Sequence, residues 1–370
     1  MDFELSDDQV ALQDAARDLL DKAASPAVVR AHVDAGGGLL PELWSAMVDQ
    51  GWGAIAVPED LGGVGLGWVE VAVLAEQVGA HVAPAPFVQH AVALDALVRA
   101  AARGGDGADP VAELVARLVS GAAFATASWS PLEARAGADG WTLHGRTEPV
   151  PFAPSADVAV VRAVDAAAPD RELLLAVDLA ATGRPDRLPA MDLTREVGRI
   201  ELDGATGLLL GEAEAVSDHL DAGASALSAE LLGIGARSLD LAVEYAKERE
   251  QFGRPIGSFQ AVKHRCADML VDVEGMRSVT YHAAWCHAAG DRDASVAAST
   301  AKTWCSDAAT RVTASALQVH GGIGFTWECD VHLFVKRAQL DRGSFGDAVV
   351  HRARLGALLR ERVAAGHSVL

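Results

Sequence analysis

Between residues 121 and 213 the hydrophobic period of the chain changes from about 3.6 to about 2, and then back. Few folds accommodate that order. The runs FATASW, WTLHG, ADVAVVRAV, ELLLAVDL and GRIELDG are short, β-favouring and separated by Gly, Pro and Asp turns. Their spacing predicts a small antiparallel barrel or sandwich rather than alternating βαβ units. No GxGxxG motif follows a strand, so a Rossmann dinucleotide site has no anchor here. Residues 1–120 read as helix instead. Ser6 and Gln9 form a capping-box signature with Leu5 and Val10 placed as its staple, and ARGGDGADPVAE (102–113) is a surface break before one more short helix. After residue 213 helix dominates again. Leu227, Leu231, Ile234, Leu241 and Tyr245 mark one stripe of a long helix, two more stretches cover 259–290 and 295–318, and a last helix starts near 346. The expected class is α+β, with a helical domain at 1–120, a β domain at 121–213 and a helical domain at 214–370.

Composition narrows what such a chain can do. Half of its 370 residues are hydrophobic and 22% are charged, enough apolar burial to exclude wholesale disorder. A net charge of −20 argues against coating nucleic acid or an anionic membrane, so an anionic ligand needs a local Lys/Arg cluster. The opening MDFELSDDQV is acidic and patterned, unlike a signal peptide, and LLLAV (173–177) stops at Asp178, far short of a membrane span. Cys266, Cys286, Cys305 and Cys329 form no CxxC pair, so free buried thiols in a reducing cytoplasm are expected. His282, Cys286 and His287 have helical spacing, but no further cluster completes a metal site; no metal is expected.

Two segments carry chemistry. In EYAKEREQFGRPIGSFQAVKHRCADM (244–269) a long helix ends in Lys247 and Arg249, turns at Gly253, and restarts near Phe259 and Gln260. Cations, Gln and an aromatic at such a break suit a diphosphate-containing ligand; plain complementation of a helix C-terminus is the alternative. In QVHGGIGFTWE (318–328) paired glycines allow close backbone approach to a ligand, or merely a tight turn.

Together with FELSDDQ near the start and PEDLGGVG at 58–65, these segments resemble the landmarks of the acyl-CoA dehydrogenase family, in the right order along almost the whole chain. The resemblance implies an N-terminal helical domain, a middle β domain and a C-terminal four-helix bundle. It also implies FAD as a non-covalent cofactor, an acyl-CoA substrate, and assembly as a dimer of dimers. In that family a base takes the α-proton while the β-hydrogen leaves as hydride to the flavin. Each flavin there lies between the middle domain of one subunit and the bundle of its neighbour. The neighbour's RxxFG motif matches Arg249, Gln251 and Phe252 here. The Gln of the following helix matches Gln260, with Phe259 beside it, and the QxxGG turn matches Gln318, Gly321 and Gly322.

The departures are as informative. An ungapped count from GGIG puts the family's catalytic Glu on Phe345, in Ser344-Phe345-Gly346, and its alternative position falls on Gly223. The catalytic base is therefore unknown. Asp347, just past the first position, and Glu230, two turns beyond the second on the same helix face, are the candidate carboxylates, although Asp347 reads better as a helix N-cap. EPVPF (148–152) puts Pro151 where relatives use a Thr against the flavin ring, and ASWSPLEARAG (127–137) replaces their flavin-contacting loop. An Arg that relatives use near the CoA is Ala224. The residues that would serve a neighbour's flavin are present, and those that would seat this subunit's own ring are lost. The resemblance therefore implies the non-catalytic partner in a heterotetramer, in which another homologous subunit carries the base, with bulky or steroid side-chain acyl groups among the substrates. A homotetramer with a displaced carboxylate base, or a flavin monooxygenase or oxidase of the same fold, are the alternatives. Neither nucleic acid nor membrane is an expected partner, and a cytoplasmic location is expected.

Overall fold

Ser6 opens the first helix as its sequence suggests. In the computed structural model, which describes residues 4–104, 108–138 and 140–366, the Gln9 N–H donates to Ser6 Oγ at 3.3 Å and the Ser6 N–H donates to Gln9 Oε1 at 3.0 Å. Two donors at the helix start are satisfied reciprocally, so Ser6→Ala is expected to cost about 1 kcal/mol, read as a lower urea midpoint. The helix α1 (Asp7–Ala23) is followed by α2 (Pro26–Asp34) and α3 (Pro41–Asp49), each opening on a proline, and by α4 (Trp68–Ala80), α5 (Phe87–Arg103) and α6 (Ala108–Val119).

The middle of the chain is a closed five-stranded barrel. Its strands β1 (Ala125–Gly137), β2 (Gly140–Arg146), β4 (Val158–Asp165), β5 (Ala168–Asp178) and β7 (Glu201–Gly211) run in the order β1-β2-β7-β5-β4. Two small strands, β3 (Val150–Pro151) and β6 (Val197–Gly198), pair outside it, and a single turn α7 (Leu179–Thr182) follows β5. One expectation needs correction. The barrel is not wholly antiparallel: β1 and β4, which close it, run parallel, with Ala125 beside Val158. Residues 127–137, which stand where relatives have a flavin-contacting loop, form most of β1, which absorbs Pro131 in a bulge between Ser128 and Leu132.

The C-terminal part consists of α8 (Ala213–Glu248), a minimal hairpin β8 (Glu250–Gln251) and β9 (Arg254–Pro255), then α9 (Gln260–Ala289), α10 (Ala294–His320), α11 (Val331–Gly343) and α12 (Ala348–Ala364). α10 packs against α9, α11 and α12. α8 has no single apolar stripe: from Ala224 to Gly235 it is buried all round. α11 has no counterpart in the pattern analysis above. A Cβ on Gly79 of α4 would lie 2.0 Å from the Glu230 carbonyl, and one on Gly233 of α8 would lie 1.8 Å from the Glu76 carbonyl, so the two helices touch backbone to backbone there. The four thiols are free, with Cys286 and Cys305 buried and Cys266 and Cys329 half-buried. The helices of the described residues include none long and apolar enough to cross a membrane.

The chain divides into two compact units. One takes in the residues through Ala31, Ala72–Ala83, and those from Ala224 on; the other comprises His32–Val71 and Pro84–Gly223 and holds the barrel with α5 and α6.

Candidate functional site

Arg249 follows the last turn of α8, its N–H bonded to the Tyr245 carbonyl at 2.8 Å. The hairpin register pairs Glu250 with Pro255 and Gln251 with Arg254, leaving Phe252 and Gly253 as a two-residue turn. Their φ values are +56° and +75°, the positive pair that such tight turns require. Glycine accepts that backbone freely, whereas Phe252 pays about 1–2 kcal/mol for it. Its ring is nevertheless 92% exposed, with the edge-on Phe259 ring as its aromatic neighbour. An outlier of this kind, held by an Ile256 N–H to Arg249 carbonyl bond of 2.7 Å, points to an external contact. Phe259 lies 6.1 Å from the Phe252 ring and beneath the Arg254 guanidinium at 4.2 Å. Arg249, Gln251 and Gln260 are exposed around it, and Gln251 Nε2 donates to the Glu250 carbonyl at 2.7 Å.

Tyr245 stacks on His320 at 4.5 Å, which joins the end of α8 to the end of α10 and brings the glycine turn beside the hairpin. Gln318 is exposed on the last turn of α10. Gly321 caps that helix at φ +63°, but Gly322 needs no positive φ, and a Cβ on either would meet nothing within 4 Å. The backbone at 322 is therefore open enough for a ligand to lie flat on it. Exposed guanidiniums, three glutamines and an open glycine surface form a donor set that fits a dinucleotide diphosphate.

The positions that the resemblance assigns to a flavin ring are differently furnished. Pro151 has neither N–H nor hydroxyl to donate, and its carbonyl accepts from Thr126 Oγ1 at 2.7 Å. The Phe152 N–H is already taken by the Glu196 carbonyl at 2.8 Å, and its fully buried ring lies 6.0 Å from the buried Arg195 guanidinium.

Phe345 and both candidate carboxylates are engaged within the chain. Phe345 is buried at φ +54°, its carbonyl bonded to His351 Nε2 at 2.8 Å. Asp347 N-caps α12, accepting from the Val349 and Val350 N–H groups at 2.9 and 3.0 Å; the Val350 bond above all holds its carboxyl below the usual range. Glu230 is fully buried, and its Oε1 accepts from Nη1 of the equally buried Arg337 at 2.8 Å. A carboxylate so enclosed stabilises a cation rather than meeting a substrate.

Sequence reasoning missed Arg337 and Lys302. Lys302 Nζ donates to the Asp341 and Arg342 carbonyls at 2.7 and 3.1 Å, securing the chain just before the Phe345 turn, and burial brings its pKa down to about 8. A lone Lys amid small residues in STAKTWCSDAAT was the available signal. A cavity of about 490 Å³, lined by Arg17, Glu76, Arg237, Asp240, Arg277 and Phe334 among others, contains none of the expected site residues. His282 Nε2 lies 3.5 Å from Cys286 Sγ, and among the described residues no cluster of three or more His, Cys, Asp or Glu could hold a metal.

Family models and known proteins match the chain over most of its length. The family model described as Acyl-CoA dehydrogenase, C-terminal domain matches residues 213–359, and that described as Acyl-CoA dehydrogenase, N-terminal domain matches residues 6–108. Acyl-CoA dehydrogenase IpdE2 of Mycolicibacterium smegmatis is 34% identical over 335 residues, covering 90% of this chain and 93% of its own. Among solved structures, a variant of the Tcur3481–Tcur3483 steroid ACAD superposes with a TM-score of 0.88 at 30% identity, over 96% of this chain and 99% of that one. The ChsE4–ChsE5 complex from Mycobacterium tuberculosis gives a TM-score of 0.88 at 29% identity, over 98% and 99%.

Proposed function

Because this chain belongs to the acyl-CoA dehydrogenase family, whose members oxidise the CH–CH bond of acyl-CoA thioesters, we propose that it is the partner subunit of a heteromeric member. FAD is the cofactor, and when bound it takes up the hydride that leaves the acyl chain. This chain's part is to hold it. Arg249 and Gln251 bind the diphosphate of a flavin seated on a homologous subunit, with Phe252 and Phe259 packing beside it. Gln260 and Gln318 donate at its edge, and Gly321 and Gly322 admit the adenosine end. The base belongs to the other subunit. Similarity to a two-component steroid enzyme and to the ChsE4–ChsE5 complex supports a heteromeric assembly and a bulky acyl group.

One contrast carries this reading. A clamp whose strained Phe252 is 92% exposed coexists with a buried Phe345 where the base would stand. Arg249→Ala in the assembled complex is expected to weaken FAD binding about 10- to 100-fold, the value of a charge-assisted bond, by titration of the apo complex. Unchanged flavin affinity would remove the clamp. The chain purified alone should hold no stoichiometric flavin and turn over no acyl-CoA. A yellow lone chain active on a thioester would instead establish the self-sufficient reading, and NADH-driven oxygen uptake the oxidase or monooxygenase one.

A further inference from the structure

The cavity of about 490 Å³ noted above has the volume of a site for a small organic ligand. Every residue that lines it belongs to one compact unit of the chain. Its floor is apolar and buried, made by Val29, Val82, Gly233, Leu333 and Phe334. One neutral polar side chain interrupts that floor. Gln77 is only 6% exposed, and among the described residues no group hydrogen-bonds its side-chain amide. A buried amide without partners is costly, so whatever fills the cavity must supply them.

Most charges around the cavity are already matched. Glu76 accepts from Arg277 Nη1 at 2.7 Å and from the Tyr281 hydroxyl at 2.6 Å. Asp21 meets His81 Nε2 at 3.1 Å, Asp330 takes Arg30 at 2.5 Å, and Arg17 turns to Asp14 at 3.0 Å. Arg237 and Asp240 are the exceptions. They stand one turn apart on α8, and neither side chain makes a hydrogen bond among the described residues; Arg237 reaches only Glu244, at 3.7 Å. Asp240 lies on the exposed rim, yet partial desolvation holds its carboxyl above the usual range. The cavity thus offers a guanidinium, a carboxylate and an amide, all unengaged, over an apolar floor. Their complement is a carboxylate, an ammonium, a second amide and apolar side chains, and a short peptide with free termini carries all four. The spans agree: Cβ atoms one helical turn apart are about 5–6 Å from each other, and an extended dipeptide is about 7 Å long.

We propose that this cavity binds an apolar dipeptide with free termini. The peptide's carboxylate pairs with Arg237 and its ammonium with Asp240. Its amide exchanges hydrogen bonds with Gln77, and its side chains rest on Leu333 and Phe334. A single amino acid has no amide for Gln77 and leaves most of the volume empty. The cavity shares no residue with the cofactor clamp, so the inference stands apart from the partner role proposed above.

Calorimetric titration of the assembled protein with leucyl-leucine tests it. One peptide should bind per chain, and N-acetylation or C-amidation should each weaken binding about ten-fold, the value of one charge-assisted bond. Asp240→Asn should weaken the free peptide by the same factor and leave the affinity of the N-acetyl peptide unchanged. Arg237→Gln should do the same with respect to the C-amidated peptide. Free leucine should bind about ten-fold more weakly than the dipeptide. Absence of binding up to about 10 mM overturns the proposal, as water then suffices for Gln77. Blocked peptides that bind as well as the free one, variants that bind it unchanged, or leucine that equals the dipeptide overturn it too. Neither substitution touches the buried floor, so unchanged thermal unfolding separates loss of binding from loss of fold.

Discussion

Arg337→Met is expected to destabilise the unit that holds Glu230 and α11 by about 3–5 kcal/mol, because it strips a buried carboxylate of its guanidinium. Glu230 and Arg337 are both fully buried and bonded at 2.8 Å, and Arg337 also points Nη2 at the Val82 and Ala83 carbonyls, each at 3.4 Å. Removing either partner alone leaves a charge where water cannot reach it. Removing both is a different matter: Glu230→Leu with Arg337→Met substitutes packing for attraction and should recover most of the loss. Urea midpoints at constant slope measure all three variants. Glu230→Gln also tests the catalytic alternative. Its expected result is lower stability with unchanged turnover per folded complex; intact stability with abolished turnover would make Glu230 the base.

The second large effect is acid lability of the barrel-containing unit. His90 and His219 are both buried there, and burial drives the pKa of each from 6.5 to about 4. The His90 tautomer is set by geometry: Nε2 donates to the Gly53 carbonyl at 2.8 Å while Nδ1 accepts the Ala125 N–H at 3.1 Å. A second proton would have to displace that N–H. Since the folded pKa lies below the unfolded one, the unfolded chain binds more protons between pH 6.5 and 4. Stability is therefore complete above about pH 6.5 and falls as the pH drops through that window. The expected loss is about 2 kcal/mol per histidine by pH 5, approaching about 3 kcal/mol each below pH 4. Denaturation at pH 7.5 and pH 5 measures it, and His90→Gln should remove about half of the slope. A slope unchanged by that substitution would show that His90 does not titrate on unfolding.

Much of the fold was legible because local chemistry agreed with it. The Ser6 capping box, the β-favouring runs and the helices near 260–289 and 294–320 each follow from short-range patterns. What escaped did so for long-range reasons. α11 was invisible because Arg337 and Asp341 sit on its buried side, which erases the apolar period; only the arrival of Glu230 from α8 makes that burial tolerable. The parallel β1–β4 pair is a requirement of barrel closure that no turn signal reports. The FATASW run gave the start of β1 but not its continuation past Pro131, because a bulge is not written in composition. At the site, residue types and spacing named the hairpin and the glycine turn. Their proximity depends on Tyr245 meeting His320, and the strain at Phe252 exists only in the backbone.

The backbone-to-backbone crossing at Gly79 and Gly233 has a consequence for descent. The segments encoding α4 and α8 lie far apart in the gene, yet neither can acquire a larger residue at its crossing point unless the other yields. A genetic exchange that separates them from a compatible mate produces a hybrid whose helices collide. In the history of such a chain, two distant stretches of code behave as a single inherited character.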